Sequence, residues 1–448
     1  MTIPLLTDVV IILGLSLGVI LLFQRFRLPL VLGFLLTGII AGPHGLALVN
    51  AVHEVELLAE VGVILLLFSI GIEFSLQSLV RIWRSVVLGG GLQVILTGAA
   101  AWALARAFRQ TGAEAVFVGM LVSLSSTAIV LRLLQDRAEI ETPHGKTSLG
   151  ILIFQDMAIV PMMLFTPLLA VGGGDIAGPL LDLLLKTVLI VGLVIVAARF
   201  AVPWLLFRVA RTRNREVFIL ATVGMGLASA WLTSLAGLSL ALGAFLAGLV
   251  ISESEYSAQA LGEVLPFKQI FLSFFFVSVG MLLNLDFVVA NLALVSSASL
   301  VVLLLKSGVA AVAIRLLGFS LRTAILGGLT LSQVGEFSFI LSRVGIQNGL
   351  LPDEHEQLFL AVSVLTMAAT PFIIAGAPRL AEAILRLPLP SWLVRESGPG
   401  DVEPGLPEEG SFRTTSSSSA TGSTAGISPG PLGWQGFHTW SWRRIPTR

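Results

Sequence analysis

The stretch Gly150-Ile-Leu-Ile-Phe-Gln155-Asp156-Met-Ala-Ile-Val-Pro161 sets a carboxylate inside an apolar run of the length that crosses a bilayer. An aspartate at the centre of a membrane helix costs about 2.5–3.5 kcal/mol even on the most lenient insertion scales, so something must offset it. No residue in the same run does so. Pro161 lacks the amide that would bond the carbonyl of Met157, which leaves a backbone oxygen free near the carboxylate. A carboxylate and a carbonyl together suit a hard cation.

The surrounding chain has the same character. Of 448 residues, 55% are hydrophobic and 12% charged, and the mean hydropathy is +0.94, against roughly 25% charged residues in a soluble domain. Apolar runs of about 17 to 25 residues recur throughout, each long enough for a ~30 Å hydrocarbon core. They fall at Ile3 to Phe23, Pro29 to Leu48, Leu57 to Ile72, Ser85 to Ala107, Ala115 to Leu134, Ser148 to Val171, Leu183 to Phe207 and Val217 to Leu235. Further runs follow at Leu238 to Ile251, Pro266 to Leu285, Phe287 to Ile314, Thr323 to Leu341 and Gln357 to Ala377, about thirteen in all. This predicts an all-α polytopic membrane protein. The first run has no basic leader and no small-residue cleavage site, so it reads as a retained span. Leu238 to Ile251 is short, which suits a helix packed against protein.

Composition excludes several functions. With no cysteine there is no disulfide, thiolate zinc site, iron-sulfur cluster or cysteine nucleophile. Lys+Arg and Asp+Glu are both 27, so no global field draws nucleic acid. All five histidines, His44, His53, His144, His355 and His438, read as loop or tail residues, which argues against a membrane redox enzyme. Basic residues concentrate in alternate loops, among them Arg208, Arg211, Arg213 and Arg215, whereas the acidic segments at Asp175 and Asp353 to Glu356 fall in the other set. The positive-inside rule then orients the chain with its N-terminus outside and its C-terminus in the cytoplasm, and the expected location is the inner membrane of the cell. After Leu393 the composition turns to Ser, Thr, Gly and Pro. The expected division is a transmembrane domain over 1–390 and a disordered cytoplasmic tail over 391–448, too short for a nucleotide-binding domain. The glycine runs Gly89 to Gly91 and Gly172 to Gly174 read as loops or close helix contacts, not phosphate turns.

Three more features mark a site. Lys306, in Leu303-Leu-Leu-Lys306-Ser-Gly, lies too deep to snorkel to water and needs a partner, for which Asp156 is the natural candidate. A permanent ion pair locking two helices is the competing reading. Ser123-Leu-Ser125-Ser126-Thr127 gathers four hydroxyls in five positions, and Thr330-Leu-Ser332-Gln333-Val-Gly335-Glu336-Phe-Ser338 mixes polar groups with glycine. Single hydroxyls in membrane helices merely bond the turn before. Two such clusters in opposite halves point to interrupted helices of an inverted-repeat transporter, with its site at the midplane. Glu336 reads as offsetting a half-helix dipole or lining the pathway, and Glu73 as an interface residue.

These motifs resemble a known family. Glu60-Val-Gly-Val-Ile-Leu-Leu-Leu-Phe-Ser-Ile-Gly-Ile-Glu73, Ser123 to Thr127, Phe154-Gln155-Asp156, Ala241-Leu-Gly-Ala-Phe-Leu-Ala-Gly248 and Ser332 to Phe337 are similar, in consistent order over roughly residues 5 to 385, to monovalent cation:proton antiporter family 2. The likeness is greatest to the Kef-type potassium/proton members. It implies the sodium/proton antiporter fold, with thirteen spans, inverted repeats, two crossing broken helices and a dimerisation domain, working by alternating access. It further implies a homodimer in membrane lipid, leaves room for a regulatory subunit, and requires no cofactor beyond transported K⁺ or Na⁺ and H⁺, with K⁺ favoured. By motif, Asp156 corresponds to the shared cation and proton site, with Gln155, Ser126 and Thr127 beside it, Lys306 as charge partner, and Ser125, Gln333 and Glu336 lining the broken helices. Electrogenic relatives carry two adjacent acids where this chain has Gln155-Asp156, which favours electroneutral exchange. Nucleotide regulation is not expected from a tail of this length.

The charge logic holds without the resemblance. Proton and cation compete for Asp156, each loaded form being neutral at the carboxyl, and only the empty site is costly to carry across hydrocarbon. A passive channel would instead need a continuous polar pore, for which no filter-like run exists. A sodium-coupled solute symporter could use the same broken helices. A membrane enzyme would need a constellation at one membrane face that the sequence does not offer.

Overall fold

The computed structural model describes residues 4–26, 28–49, 51–73, 84–170, 202–235 and 239–388. The expected span at Leu183 to Phe207 lies outside these residues except for its last six positions, as do Asp175, the Gly172 to Gly174 run and the 391–448 tail. The described chain is helical: α1 (Pro4–Arg25), α2 (Leu30–Ala41), α3 (Val52–Glu73), α4 (Gly91–Ala107, entered through a π-helical turn at Arg84–Gly90), α5 (Gly112–Ser123) and α6 (Thr127–Asp136). There follow α7 (Pro143–Ala170), α8 (Val202–Arg211), α9 (Arg215–Leu235), α10 (Leu240–Ser252), α11 (Ser257–Leu282) and α12 (Leu285–Ala290). The last four are α13 (Leu292–Leu316), α14 (Leu321–Thr330), α15 (Glu336–Gln347) and α16 (Asp353–Leu385). Nine segments among the described residues are long and apolar enough to cross a membrane, and Leu30–Ala41 and Leu240–Ser252 are shorter apolar helices. His53, His144 and His355, expected in loops, stand in the first turns of α3, α7 and α16.

Helix starts follow their caps. Thr111 and Glu114 form a reciprocal capping box on α5, and Ser239 and Ser320 cap α10 and α14 through their hydroxyls. The most extensive helix contacts fall into two groups: α1, α2, α3, α9, α10 and α11 pack on one another, as do α4 to α7 with α13 to α16. In the first group, backbones meet at glycine. A Cβ on Gly38 would lie 2.9 Å from the Cα of Gly280, and one on Gly71 would lie 2.9 Å from the Cα of Gly248, so α2–α11 and α3–α10 close on small residues as membrane helices do. The second group carries the two polar clusters, and there the helices break.

Candidate ion-binding site

The first break, Leu124 to Ser126, separates α5 from α6, and the second, Leu331 to Gly335, separates α14 from α15. The two unwound stretches cross in contact. Gly335 N–H donates to Leu124 O at 3.1 Å, the Ser125 hydroxyl donates to Leu331 O at 3.0 Å, and the Ser338 hydroxyl donates to Leu121 O at 2.7 Å. A side chain at Gly335 would place Cβ 2.4 Å from the Ser125 carbonyl, so only glycine lets the chains cross. Hydroxyls that compete with helical hydrogen bonds thus become the stitches between the breaks.

Breaking a helix leaves free N–H groups at one end and free C=O groups at the other, with a positive and a negative dipole pole respectively. Three of the four half-helix ends meet a group of the matching sign. At the start of α6, Ser126 Oγ accepts from Ile129 N at 3.3 Å, while Glu336 Oε1 accepts from Ala128 N at 3.3 Å and the Ser126 hydroxyl bonds the same carboxylate. Glu336 is also the first residue of α15, so one carboxylate serves two half-helix N-termini. At the end of α5, Lys306 Nζ donates to Val122 O at 2.6 Å and to Leu124 O at 2.7 Å. Lys306 is fully buried and forms no ion pair with Asp156, contrary to the expected pairing; helix-end carbonyls take its protons instead.

Asp156 sits beside the crossing on α7 and accepts the Thr127 hydroxyl at 2.9 and 3.0 Å. It is half-buried with Thr127, and Ala128 next to them is exposed. Gln155 turns the opposite way and is buried. Its Oε1 accepts from Ser125 N at 2.7 Å and its Nε2 donates to Gln93 Oε1 at 2.7 Å, while Gln93 Nε2 donates to Thr97 Oγ1 and Ser123 O. Gln155 is therefore tied up in holding the break, whereas Asp156 takes its hydrogen bonds from the Thr127 hydroxyl. Gln333 is buried with both side-chain heteroatoms unpaired among the described residues, as are Ser332 Oγ and Glu336 Oε2.

Three residues here escape a reading of the sequence. Gln93, on α4, is a lone amide in an apolar run. Lys268, on α11, is in electrostatic reach of Asp156, Glu336 and Glu73, with its ammonium 3.9 Å from Glu73 Oε1. Glu73, read as an interface residue, is thereby part of the charge network. Glu336 also acts electrostatically on Asp156, so the acid in Gln155-Asp156 is not alone. Among the described residues no cluster of three or more His, Cys, Asp or Glu side chains could hold a metal ion.

Residues 11–376 match the family described as sodium/hydrogen exchanger, transmembrane. The chain belongs to this family. It is a multi-pass membrane protein of an exchanger family, not an enzyme. It is 33% identical over 381 residues to K(+) efflux antiporter 1, chloroplastic, of Arabidopsis thaliana, covering 83% of this chain and 32% of the relative. It is 33% identical over 372 residues to the putative K(+) efflux antiporter KefB of Alkalimonas amylolytica, covering 82% and 56%, and 33% identical over 382 residues to the putative cation/proton antiporter YbaL of Escherichia coli (strain K12), covering 83% and 68%. The chain thus spans from a third to about two thirds of these relatives' length. In fold it is similar to the sodium proton antiporter MjNhaP1 from Methanocaldococcus jannaschii, with a TM-score of 0.60 at 16% identity over 84% of this chain and 98% of that one.

Proposed function

We propose that the chain exchanges a monovalent cation, K⁺ in preference to Na⁺, for a proton, with Asp156 binding each in turn. The observation that carries this reading is the half-buried Asp156 carboxylate beside the crossing of two broken helices, held by one hydroxyl. A cation in front of Asp156 has the carboxylate and the Thr127 oxygen as hard ligands. The unpaired amide of Gln333 offers a further oxygen close to the crossing. The preference for K⁺ rests on relatives named as K⁺ efflux antiporters.

The same geometry supports electroneutral exchange. Glu336 is engaged in capping α6 and Lys306 in capping α5, so both have structural duties apart from the exchanged ion. Gln155 is neutral and committed to Ser125 and Gln93. One proton or one cation at Asp156 is then the exchanged charge, and the empty site is costly to carry across. The basic-loop bias supports an N-terminus outside and residues 391–448 forming a cytoplasmic tail, and the bacterial relative named as a K⁺ efflux antiporter supports placement in the inner membrane; a homodimer and a regulatory subunit complete the proposal.

The test is proton flux in proteoliposomes with an internal pH dye, under gradients of K⁺, Na⁺ or choline, with and without a voltage clamp by ionophore. Proton movement driven by K⁺ and indifferent to voltage is the expected result. Cation flux without proton movement would make the protein a channel, and cation-dependent solute uptake without antiport would make it a symporter.

A further inference from the structure

A cavity of about 870 Å³ lies between α4, α5, α13 and α16, with Phe287 of α12 also in its wall. That is within the ~300–1,000 Å³ of ligand-sized pockets. Its walls are apolar, and its polar residues gather where helices end: Gln110 just beyond α4, Asn291 ahead of α13, and Glu354 and His355 in the first turn of α16. Ser297 is the exception, and its hydroxyl bonds Leu294 O. On α13 the lining runs as one stripe from Asn291 through Leu294, Ala298 and Val301 to Leu305. Those 14 residue steps, 305 minus 291, cover about 21 Å at 1.5 Å per residue. This is the depth from a membrane surface to beyond the middle of a ~30 Å hydrocarbon core. At the deep end lie Val122 of α5 and Val334 of the second break, and Leu305 is next to Lys306, whose ammonium holds Val122 O.

We propose that this cavity holds one tail of a glycerophospholipid whose headgroup carries both a phosphate and a primary ammonium. The order of the lining, polar at the mouth and apolar from there to mid-depth, repeats the order of a single leaflet. Leu294 and Val301 stand 49% and 41% exposed in the α13 wall, apolar surface that hydrocarbon covers favourably at membrane depth. The mouth selects the headgroup. Glu354 is exposed there, and Gln110 Oε1 is buried with no hydrogen-bond partner among the described residues, so both accept from an ammonium. The Arg106 guanidinium, which donates to Gln110 O at 2.6 Å, sets a cation for the phosphate beside them. A trimethylammonium has no N–H to give Gln110, and a headgroup without a cation leaves Glu354 uncompensated. With its tail against Val122 and Val334, the lipid braces the crossing and stabilises the folded chain, the form that has the cavity. The proposal stands apart from the exchange reading, because its test reads binding and unfolding, not flux.

The experiment is native mass spectrometry and thermal unfolding of the full chain, delipidated in detergent and titrated with phosphatidylethanolamine, phosphatidylcholine or phosphatidylglycerol of the same acyl chains. One phosphatidylethanolamine per chain should be retained and should raise the unfolding midpoint. It should bind roughly tenfold more tightly than phosphatidylcholine, as expected for a charged donor meeting a buried acceptor. Ala298→Phe fills the middle of the cavity and should abolish both the retention and the rise in midpoint. Because overpacking can itself destabilise a helix bundle, Gln110→Leu supplies an independent test. It lies between α4 and α5, outside both helices, and keeps the backbone oxygen that Arg106 bonds. This variant should still bind a lipid tail but lose the preference for phosphatidylethanolamine over phosphatidylcholine. Retention lost in Ala298→Phe and preference lost in Gln110→Leu support the site. Equal retention of the three lipids by wild type, tighter binding of phosphatidylglycerol, or a phosphatidylethanolamine preference that survives in either folded variant overturns it.

Discussion

Lys306 is bonded to Leu124, not to Asp156: its ammonium donates at 2.7 Å to the Leu124 carbonyl, the same oxygen that accepts from Gly335 N of the second break. One carbonyl at the end of α5 therefore gathers a buried charge and the opposite broken helix. Removing the ammonium leaves the Val122 carbonyl without this donor in a buried place, at about 1–3 kcal/mol for an unsatisfied group, while Leu124 O keeps only Gly335 N. Lys306→Met should lower the unfolding midpoint in detergent by several degrees, with residual exchange showing the same pH profile as wild type. A stable variant with a displaced pH profile would restore the direct pairing with Asp156.

Asp156→Asn keeps the shape of the side chain and can still bond Thr127, so the protein should unfold within about 2 degrees of wild type, since near-isosteric changes outside the packed core cost little. It cannot take up or release a proton at this position. Cation-driven proton movement should be lost, and its survival in reconstituted vesicles would remove Asp156 from the site.

Gln155→Glu probes why only one acid of the pair exchanges. The new carboxylate can still accept from Ser125 N, but its second oxygen would face Gln93 Oε1, where Gln155 now donates. A proton on that oxygen restores the donor. Turning Gln93 over would restore it too, but would forfeit the Gln93 bonds to Thr97 and Ser123. Exchange should therefore survive in acidic buffer and fall as the pH rises through the new group's titration. A profile parallel to wild type would show that the amide is not needed.

Much of this arrangement was legible in the sequence. Apolar runs announced the spans, and Ser123 to Thr127 and Ser332 to Ser338 announced the breaks, because polar residues clustered at mid-span in both halves exceed what back-bonding of single hydroxyls accounts for. Asp156 stood out because an isolated charge in an apolar run is expensive. The partners did not stand out. Lys306 is conspicuous at the centre of a run, but what it meets depends on where α5 ends in space. Lys268 lies toward the near end of its run behind Pro266 and Phe267, where a lysine passes for an interfacial residue. Its place beside Glu73 follows only from α11 packing against α3. Gln93 carries no charge, and its position opposite Gln155 depends on how α4 packs against the first break.

Gly335→Ala tests the crossing itself. The added Cβ would lie 2.4 Å from the carbonyl carbon and oxygen of Ser125 and 2.9 Å from Ser126 N, all backbone atoms that cannot swing aside. Relief requires the two breaks to separate, which stretches the Gly335 N to Leu124 O bond and the Ser125 hydroxyl bond to Leu331 O. Gly376→Ala in α16 is the control, because a Cβ there meets nothing within 4 Å and replacing a mid-helix glycine with alanine is worth about 0.5–1 kcal/mol in favour of the helix. The Gly335 variant should lose exchange and unfold at least several degrees below wild type, while the Gly376 variant matches or exceeds it. Equal stability and flux in the two variants would mean that the broken helices do not meet at Gly335 and Ser125.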